Sequence, residues 1–347
     1  MRTIRGSLLA LAALVAAAPL QAQAPERLWY ATNDERSVQS FIAHADRISV
    51  VAPQSFSMDS IGLIWGKVDP RLVAAARAKG VKVIPLIVNP GFDQSIFHRV
   101  LVTPESRLRA VRNITALCRD NRFDGIQFDF ENIRVTDRDA FTSFAREAAD
   151  SLHRVGCSLS AAVVPRSSDF PGPTSYHKWI FDNWRGAYDY KALADVMDFL
   201  SLMTYSQHTR RTPPGPVAGY PWMEGVVKYV LGLGVPPSKL SLGLPSYSEW
   251  WYPTYDAVGG ARMAGGGLAY DAALGTLAKN DVKPVWDERE KEAYAFWQDD
   301  GIDEFLFLVD SRSFAARLGL VSQYKLRGYS VWVLGMEDPR IWEGPAR

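Results

Sequence analysis

The chain has 347 residues, room for one large domain or two small ones. Its 39 basic and 38 acidic side chains nearly cancel to a formal charge of +1, and no basic run interleaves with aromatics, which argues against a nucleic-acid partner. Apolar residues make up 47% of it, enough for a substantial core, and the 11 tryptophans suit either an indole-rich core or stacking on flat sugar faces.

The N-terminus reads as a processing signal. Arg2 and Arg5 precede the apolar run SLLALAALVAAAPL, and AQA follows at residues 22–24. A positive start, a short apolar centre and a small-x-small end predict a secretory leader over residues 1–24 and a mature chain over 25–347, exported to a periplasmic or extracellular space. The run is too short and too rich in alanine for a good membrane span, so no stable membrane insertion is expected.

Eight apolar, β-branched runs follow, at residues 27–31, 47–52, 81–88, 123–130, 158–164, 199–205, 240–247 and 329–334. Between them lie PRLVAAARAKG, PESRLRAVRNITALCRDN and RDAFTSFAREAADSLHRVG, each with helical apolar spacing. The first and third end in Gly and the second in Asn121, all suited to a helix C-cap. Nearly continuous apolar strands alternating with helices describe a parallel sheet covered by helices. Eight of them predict an α/β fold, a (β/α)8 TIM barrel. An open doubly wound sheet is the alternative, but no Gly-rich phosphate turn follows the first strand. Residues 248–309 break the rhythm and predict a small α+β insertion between strands seven and eight. In it, GGARMAGGGLAY reads as turns and IDEFLFLVD as a strand; SRSFAARLGLVSQYKLRG then reads as the helix before the last strand. Cys118 and Cys157 could pair in an exported protein or stay as two buried thiols. No Cys or His spacing fits a metal site, and neither metal nor cofactor is expected.

The stretch FDGIQFDFENI, residues 123–133, carries the chemistry. Side chains alternate along a strand, so Gln127, Asp129 and Glu131 share the lumen face while Ile126, Phe128 and Phe130 face the helices. Glu131 falls at the C-terminal end, where barrel active sites lie. An ion pair with a neighbouring strand is the structural alternative. Two converging carboxylates suit proton work, with an ionised Asp129 raising the pKa of Glu131 and keeping it protonated.

DGIQFDFE resembles the D-x-x-D-x-D-x-E signature of glycoside hydrolase family 18, the chitinase-like barrels. Asp124, Asp129 and Glu131 match it, with Gly125 beside the first acid and Gln127 in place of the second. SLMTYSQH resembles the family's Met-x-Tyr-Asp, giving Met203 and Tyr205 with Ser206 for the Asp. LGLPSYSEWW resembles its Gly-x-Pro-x-Tyr segment, ending on Tyr247, and YSVWVLGMED its eighth strand, with Trp332 as the floor of the −1 sugar site. DGIQFDFEN and VVAPQSFSMDSIG further resemble the branch of spore-cortex and cell-wall N-acetylglucosaminidases.

The resemblance implies a retaining, substrate-assisted glycosidase. Glu131 would be the acid and base, Asp129 would hold the acetamido N–H, and Tyr205 would bond the acetamido oxygen. Trp332, Gln127, Met203, Ser206 and Tyr247 would line the sugar site, and Asp124 and Gly125 would be structural parts of the motif. Since Gln127 cannot share a proton, Asp129 is expected to stay ionised to lower pH than in a typical member. Trp250, Trp251 and Tyr252 suit sugar stacking or lobe packing, and Arg166 and Gln207 suit substrate contact, ion pairing or capping. The expected partner is a polysaccharide, peptidoglycan or chitin-like, cleaved at β-1,4 bonds by a monomer. A chitinase of soluble oligomers and a non-catalytic sugar-binding protein are the alternatives; Glu131 speaks for catalysis.

Overall fold

The structure is a computed structural model that describes residues 24–210, 212–255 and 260–343. Apart from Ala24, the leader expected over 1–24 lies outside the described residues. Among the described residues no helix is long and apolar enough to cross a membrane.

Eight parallel strands close into a barrel. In chain order they are Glu26–Ala31, Val50–Met58, Leu86–Val88, Gly125–Asp129, Ser158–Val163, Phe199–Leu202, Leu240–Pro245 and Gly328–Trp332. Each pairs with its sequential neighbour, and the first closes the ring against both the second (Leu28 beside Val50) and the eighth (Glu26 beside Gly328). The third run is not continuous as its sequence suggests. Lys82–Val83 pairs alone, then Ile84 and Pro85 interrupt before Leu86. Proline has no N–H to give a ladder; its carbonyl instead accepts from Gln127 N at 3.0 Å.

The strands are apolar on both faces because both are covered. Ile126, Phe128 and Phe130 are buried toward the helices, with Phe128 stacked 5.6 Å from Phe144 and Phe130 stacked 4.0 Å from Phe97. Leu28, Tyr30, Val50, Ala52, Ile84, Leu86 and Phe199 form a second apolar cluster with Val333. The helix Pro70–Lys79 starts on an Asp69 cap and ends on left-handed Gly80, as its sequence suggests. The helix Pro104–Asn121 differs. Asn121 is its last helical residue, with Nδ2 bonded to the Leu117 carbonyl at 2.9 Å, and Arg122 takes the left-handed cap at φ 56°. Cys118, near that helix end, forms a disulfide with Cys157, just before the fifth strand.

Between the seventh and eighth strands stands a five-stranded antiparallel sheet built from Ser248–Tyr255, Ala261–Leu268, Val285–Asp287, Glu292–Asp299 and Ile302–Leu308. Helix Tyr270–Lys279 packs Ala273 and Leu277 against Ala293, Ala295, Trp297, Leu306 and Leu308. The glycine-rich run expected as turns is therefore largely a strand. Its glycines make room for the indoles of the partner strand. Gly265 sits opposite Trp251, and a Cβ there would come within 2.9 Å of Glu249 Oε1 and 3.2 Å of the Trp251 ring. Trp250 and Trp251 serve the lobe. Trp251 is fully buried, and Trp250 donates to Glu304 at 2.8 Å and packs 4.7 Å from the Tyr252 ring. Glu292 joins this lobe to the barrel: buried, it pairs with buried Arg317 and accepts from Val217 N at 2.9 Å and Ala218 N at 3.3 Å.

Candidate active site

The acidic strand ends at Asp129, and Glu131 stands on the corner just beyond it. Three neighbours fix that corner. Asn89, following the third strand, accepts from Glu131 N at 3.1 Å and donates to its carbonyl at 3.0 Å. The Tyr188 hydroxyl donates to the Phe130 carbonyl at 2.7 Å. Asn132, at φ 54°, donates to the Phe92 carbonyl at 2.9 Å, an Asn in the left-handed region that few other residues adopt. Glu131 Oε2 accepts from the Trp184 indole at 2.8 Å, and Asp129 Oδ2 from Gln54 Nε2 at 3.3 Å. Asp129 Oδ1 is buried with no hydrogen-bond partner among the described residues.

Both carboxyls hold their protons more tightly than usual. Burial is the main cause for each. Asp129 is pushed up to about 8, with the Glu131 charge adding and the Gln54 amide opposing. For Glu131 the Trp184 N–H opposes the rise. The pair is thus poised to keep a proton at neutral pH. Burial sets the state of Asp129 in the free protein. Its nearest donor is one neutral amide, and burial outweighs the missing second acid.

Gln127 points away from that role. It is fully buried and donates to the hydroxyls of Ser160 at 3.0 Å and Ser201 at 3.4 Å, as an interior hydrogen-bonder rather than a wall of the sugar site. Asp124 lies at the other end of the barrel, where Oδ2 accepts from Val83 N at 2.8 Å and secures the broken third strand. Gly125 must lack a side chain, since a Cβ would meet Ser158 Oγ at 2.1 Å.

Of the remaining motif residues, Tyr205 lies within electrostatic reach of the acid pair. Tyr205 is half-buried; burial keeps its hydroxyl protonated, and Tyr30, Asp129, Tyr247 and Glu131 add to that effect by proximity. Met203, half-buried, packs on the main core, and its N–H bonds the Val163 carbonyl at 3.0 Å. Ser206, exposed and at φ 52°, places Oγ 2.6 Å from the Tyr247 hydroxyl. Tyr247 packs with Val217 and Val309, and Trp332 and Phe307 close on that cluster. Trp332 also lies 5.6 Å from the Tyr30 ring, and the Trp332–Val333 peptide is cis. Ser246 secures this end of the eighth strand, donating to the Val333 carbonyl at 2.7 Å and accepting from Val333 N at 2.8 Å. Arg166 is buried and Gln207 accepts from Gly219 N at 2.7 Å, so both brace loops.

Trp184, Asn89, Gln54 and Tyr188 escape a reading of the sequence. Gln54 lies in the segment already likened to the cell-wall branch, which is the one local signal. The others lie in loops whose residues meet Glu131 only after the barrel closes.

The family model for glycosyl hydrolases family 18 matches residues 28–337. The chain belongs to glycoside hydrolase family 18. It is 29% identical over 262 residues to the cortical fragment-lytic enzyme of Bacillus subtilis (strain 168), a match covering 75% of this chain and 58% of that protein's length. Its fold superposes on a chitinase from Chromobacterium violaceum ATCC 12472 with a TM-score of 0.82 and 26% identity, over 92% of this chain and 97% of that one. The spore cortex-lytic enzyme SleL of Bacillus megaterium QM B1551 shares the fold at a TM-score of 0.80 and 22% identity, over 92% and 72% of the two chains. This chain thus has the family's TIM-barrel fold and is similar to an enzyme of the spore-cortex branch, as its motifs suggest.

Proposed function

We propose that this family 18 glycosidase cleaves β-1,4 bonds of N-acetylglucosamine-containing polymers, peptidoglycan foremost, outside the cytoplasm and with retention at the anomeric carbon. The observation that carries the reading is the pair of buried Asp129 and half-buried Glu131 at the barrel mouth, with Tyr205 close by. Glu131 gives its proton to the glycosidic oxygen as the C–O bond breaks. The substrate's acetamido oxygen attacks the anomeric carbon and forms an oxazolinium ion. Asp129 accepts the acetamido N–H, a donor that its unpartnered Oδ1 lacks in the free protein. Tyr205 donates to the acetamido oxygen, which it can do because its hydroxyl stays protonated. Glu131, now a carboxylate, takes a proton from water, which opens the ring and restores the acid. Trp332 offers a flat apolar floor.

Peptidoglycan is favoured by the likeness to the Bacillus subtilis cortical fragment-lytic enzyme, and export by the leader-like residues 1–24. The likeness to the Chromobacterium violaceum chitinase supports a second reading, cleavage of chitin oligomers. Digestion of both polymers, followed by borohydride reduction and mass analysis, separates them. Reduced N-acetylglucosamine at new peptidoglycan ends is the expected result. Reduced muramic acid would make it a muramidase, and cleavage of chitin oligomers alone would make it a chitinase.

A further inference from the structure

We propose that Trp184 is a positioning residue that fixes which oxygen of Glu131 carries the acid's proton; this rests on the reading of Glu131 as proton donor. An indole N–H can only donate. It lies 2.8 Å from Oε2, so Oε2 is an acceptor whether the carboxyl is ionised or not. A carbonyl oxygen accepts better than a hydroxyl oxygen, so the indole favours the proton on Oε1, the oxygen with no hydrogen bond to the described residues and free to meet the leaving oxygen. Without Trp184 the proton would divide between two oxygens, one of them turned away from the bond to be broken.

The rest of the loop after the fifth strand holds the indole in place. Helix Ser175–Ile180 runs directly into a π-turn at Phe181–Arg185, closed by Gly186 N on the Phe181 carbonyl at 2.8 Å. Such turns are rare and cluster at functional sites. Buried Arg166, following the fifth strand, donates Nη1 to the carbonyls of Arg185 at 3.2 Å and Tyr188 at 2.7 Å. Gln94 donates to Asn183 Oδ1 at 3.3 Å from the other side. The Arg185 guanidinium carbon lies 5.6 Å from the centre of the Trp184 ring. Trp184 is thus gripped on both flanks and aimed at one oxygen. Arg166 acts on the acid through this turn.

Donation to a carboxylate also favours its charged form, so the indole holds the Glu131 pKa below the level burial alone would set. The two effects give separable readouts in Trp184→Phe, which keeps a ring and removes the N–H. Peptide-stripped peptidoglycan strands need the proton for their sugar leaving group; 4-nitrophenyl N,N′-diacetylchitobioside scarcely does. The variant should lose about tenfold in kcat/KM on the strands and little on the aryl glycoside. The ratio of the two, taken on one preparation, is independent of the fraction folded. The alkaline limb of the strand profile should move to higher pH, because the acid loses the donor that favoured its ionised form. Equal losses on both substrates with an unmoved limb would show a packing role and overturn the proposal. Wild-type protein that hydrolyses neither substrate overturns the glycosidase reading along with it. An inactive Glu131→Gln beside an unaltered Trp184→Phe overturns the positioning role alone.

Discussion

The hydroxyls of Ser206 and Tyr247 lie 2.6 Å apart, joining the loop after the sixth strand to the residue that follows the seventh. Tyr247 is otherwise held by packing against Val217, Val309 and Phe307. Ser206→Ala should therefore leave the ring in place and lower kcat/KM by about two- to tenfold, the scale of one neutral hydrogen bond. Tyr247→Phe removes the hydroxyl itself and should raise KM more than it lowers kcat if that hydroxyl meets the sugar. Steady-state kinetics on chitin oligomers and peptidoglycan strands separate the two.

Glu131→Gln should fold normally, since the amide can still accept from Trp184, and should lower kcat/KM by roughly 10²–10⁴-fold on a sugar leaving group. Azide can attack the oxazolinium without a general base but cannot protonate a leaving sugar, so on such substrates activity should stay low. Near-normal turnover of peptidoglycan strands by the folded variant would remove Glu131 from the acid role.

Asp129→Asn should trade activity for stability in a pH-dependent way. The folded-state pKa of Asp129 is raised above that of an unfolded chain. Between the ordinary carboxylate range and about 8, the folded protein binds more protons than the unfolded one, so this group's contribution weakens as pH rises. Asn carries no charge to bury. The Tm of the variant should lie closest to wild type below about pH 4 and gain on it steadily up to pH 8–9, while glycan cleavage falls sharply. A variant Tm below wild type at alkaline pH would mean that the ionised carboxylate is stabilised in a way its single amide partner does not explain.

The barrel was legible because its strands carry a simple signal. Ile126, Phe128 and Phe130 alternate with Gln127 and Asp129, and that alternation alone puts the acids in the lumen. The paired acids lie in one short stretch, so their geometry follows from strand period. Trp184 and Asn89 could not be found that way. Each reaches Glu131 from another loop, and their meeting is a product of closure. The state of Asp129 in the free protein is hidden for a related reason. The exchange of an acid for Gln127 is visible in the sequence, but the burial that dominates the pKa is not. The run at residues 259–270 reads as turns because glycine acts as a local signal, whereas Gly265 answers bulky Trp251 across the sheet.

The Cys118–Cys157 bridge links the end of the helix before the fourth strand to the lead of the fifth strand across a sequence separation of 39. A loop of that size restricts the unfolded chain by about 4 kcal/mol in the chain-entropy model. Reduction under native conditions, or Cys118→Ala with Cys157→Ala, should lower the urea midpoint with little change in kcat, because the bridge lies near the end of the barrel opposite Glu131. An unchanged midpoint would show that packing around Phe123 supplies the same restraint.

The lobe should be coupled to the site through Glu292 and Arg317. Both are buried, and burying two charges is favourable only while each answers the other. Arg317→Met leaves Glu292 charged in the interior and should cost about 3–5 kcal/mol. Glu292 also accepts from the N–H groups of Val217 and Ala218, and Val217 packs directly on Tyr247. Disturbing Glu292 should thus reach the sugar site and raise KM as well as lower stability. Adding Glu292→Gln to Arg317→Met removes the orphaned charge yet keeps an oxygen for those two backbone donors. The double variant should recover much of the lost stability and much of the lost KM together, measured by urea unfolding and by kinetics on peptidoglycan strands. Stability recovered without KM would mean that the pair holds the lobe but does not set the position of Tyr247.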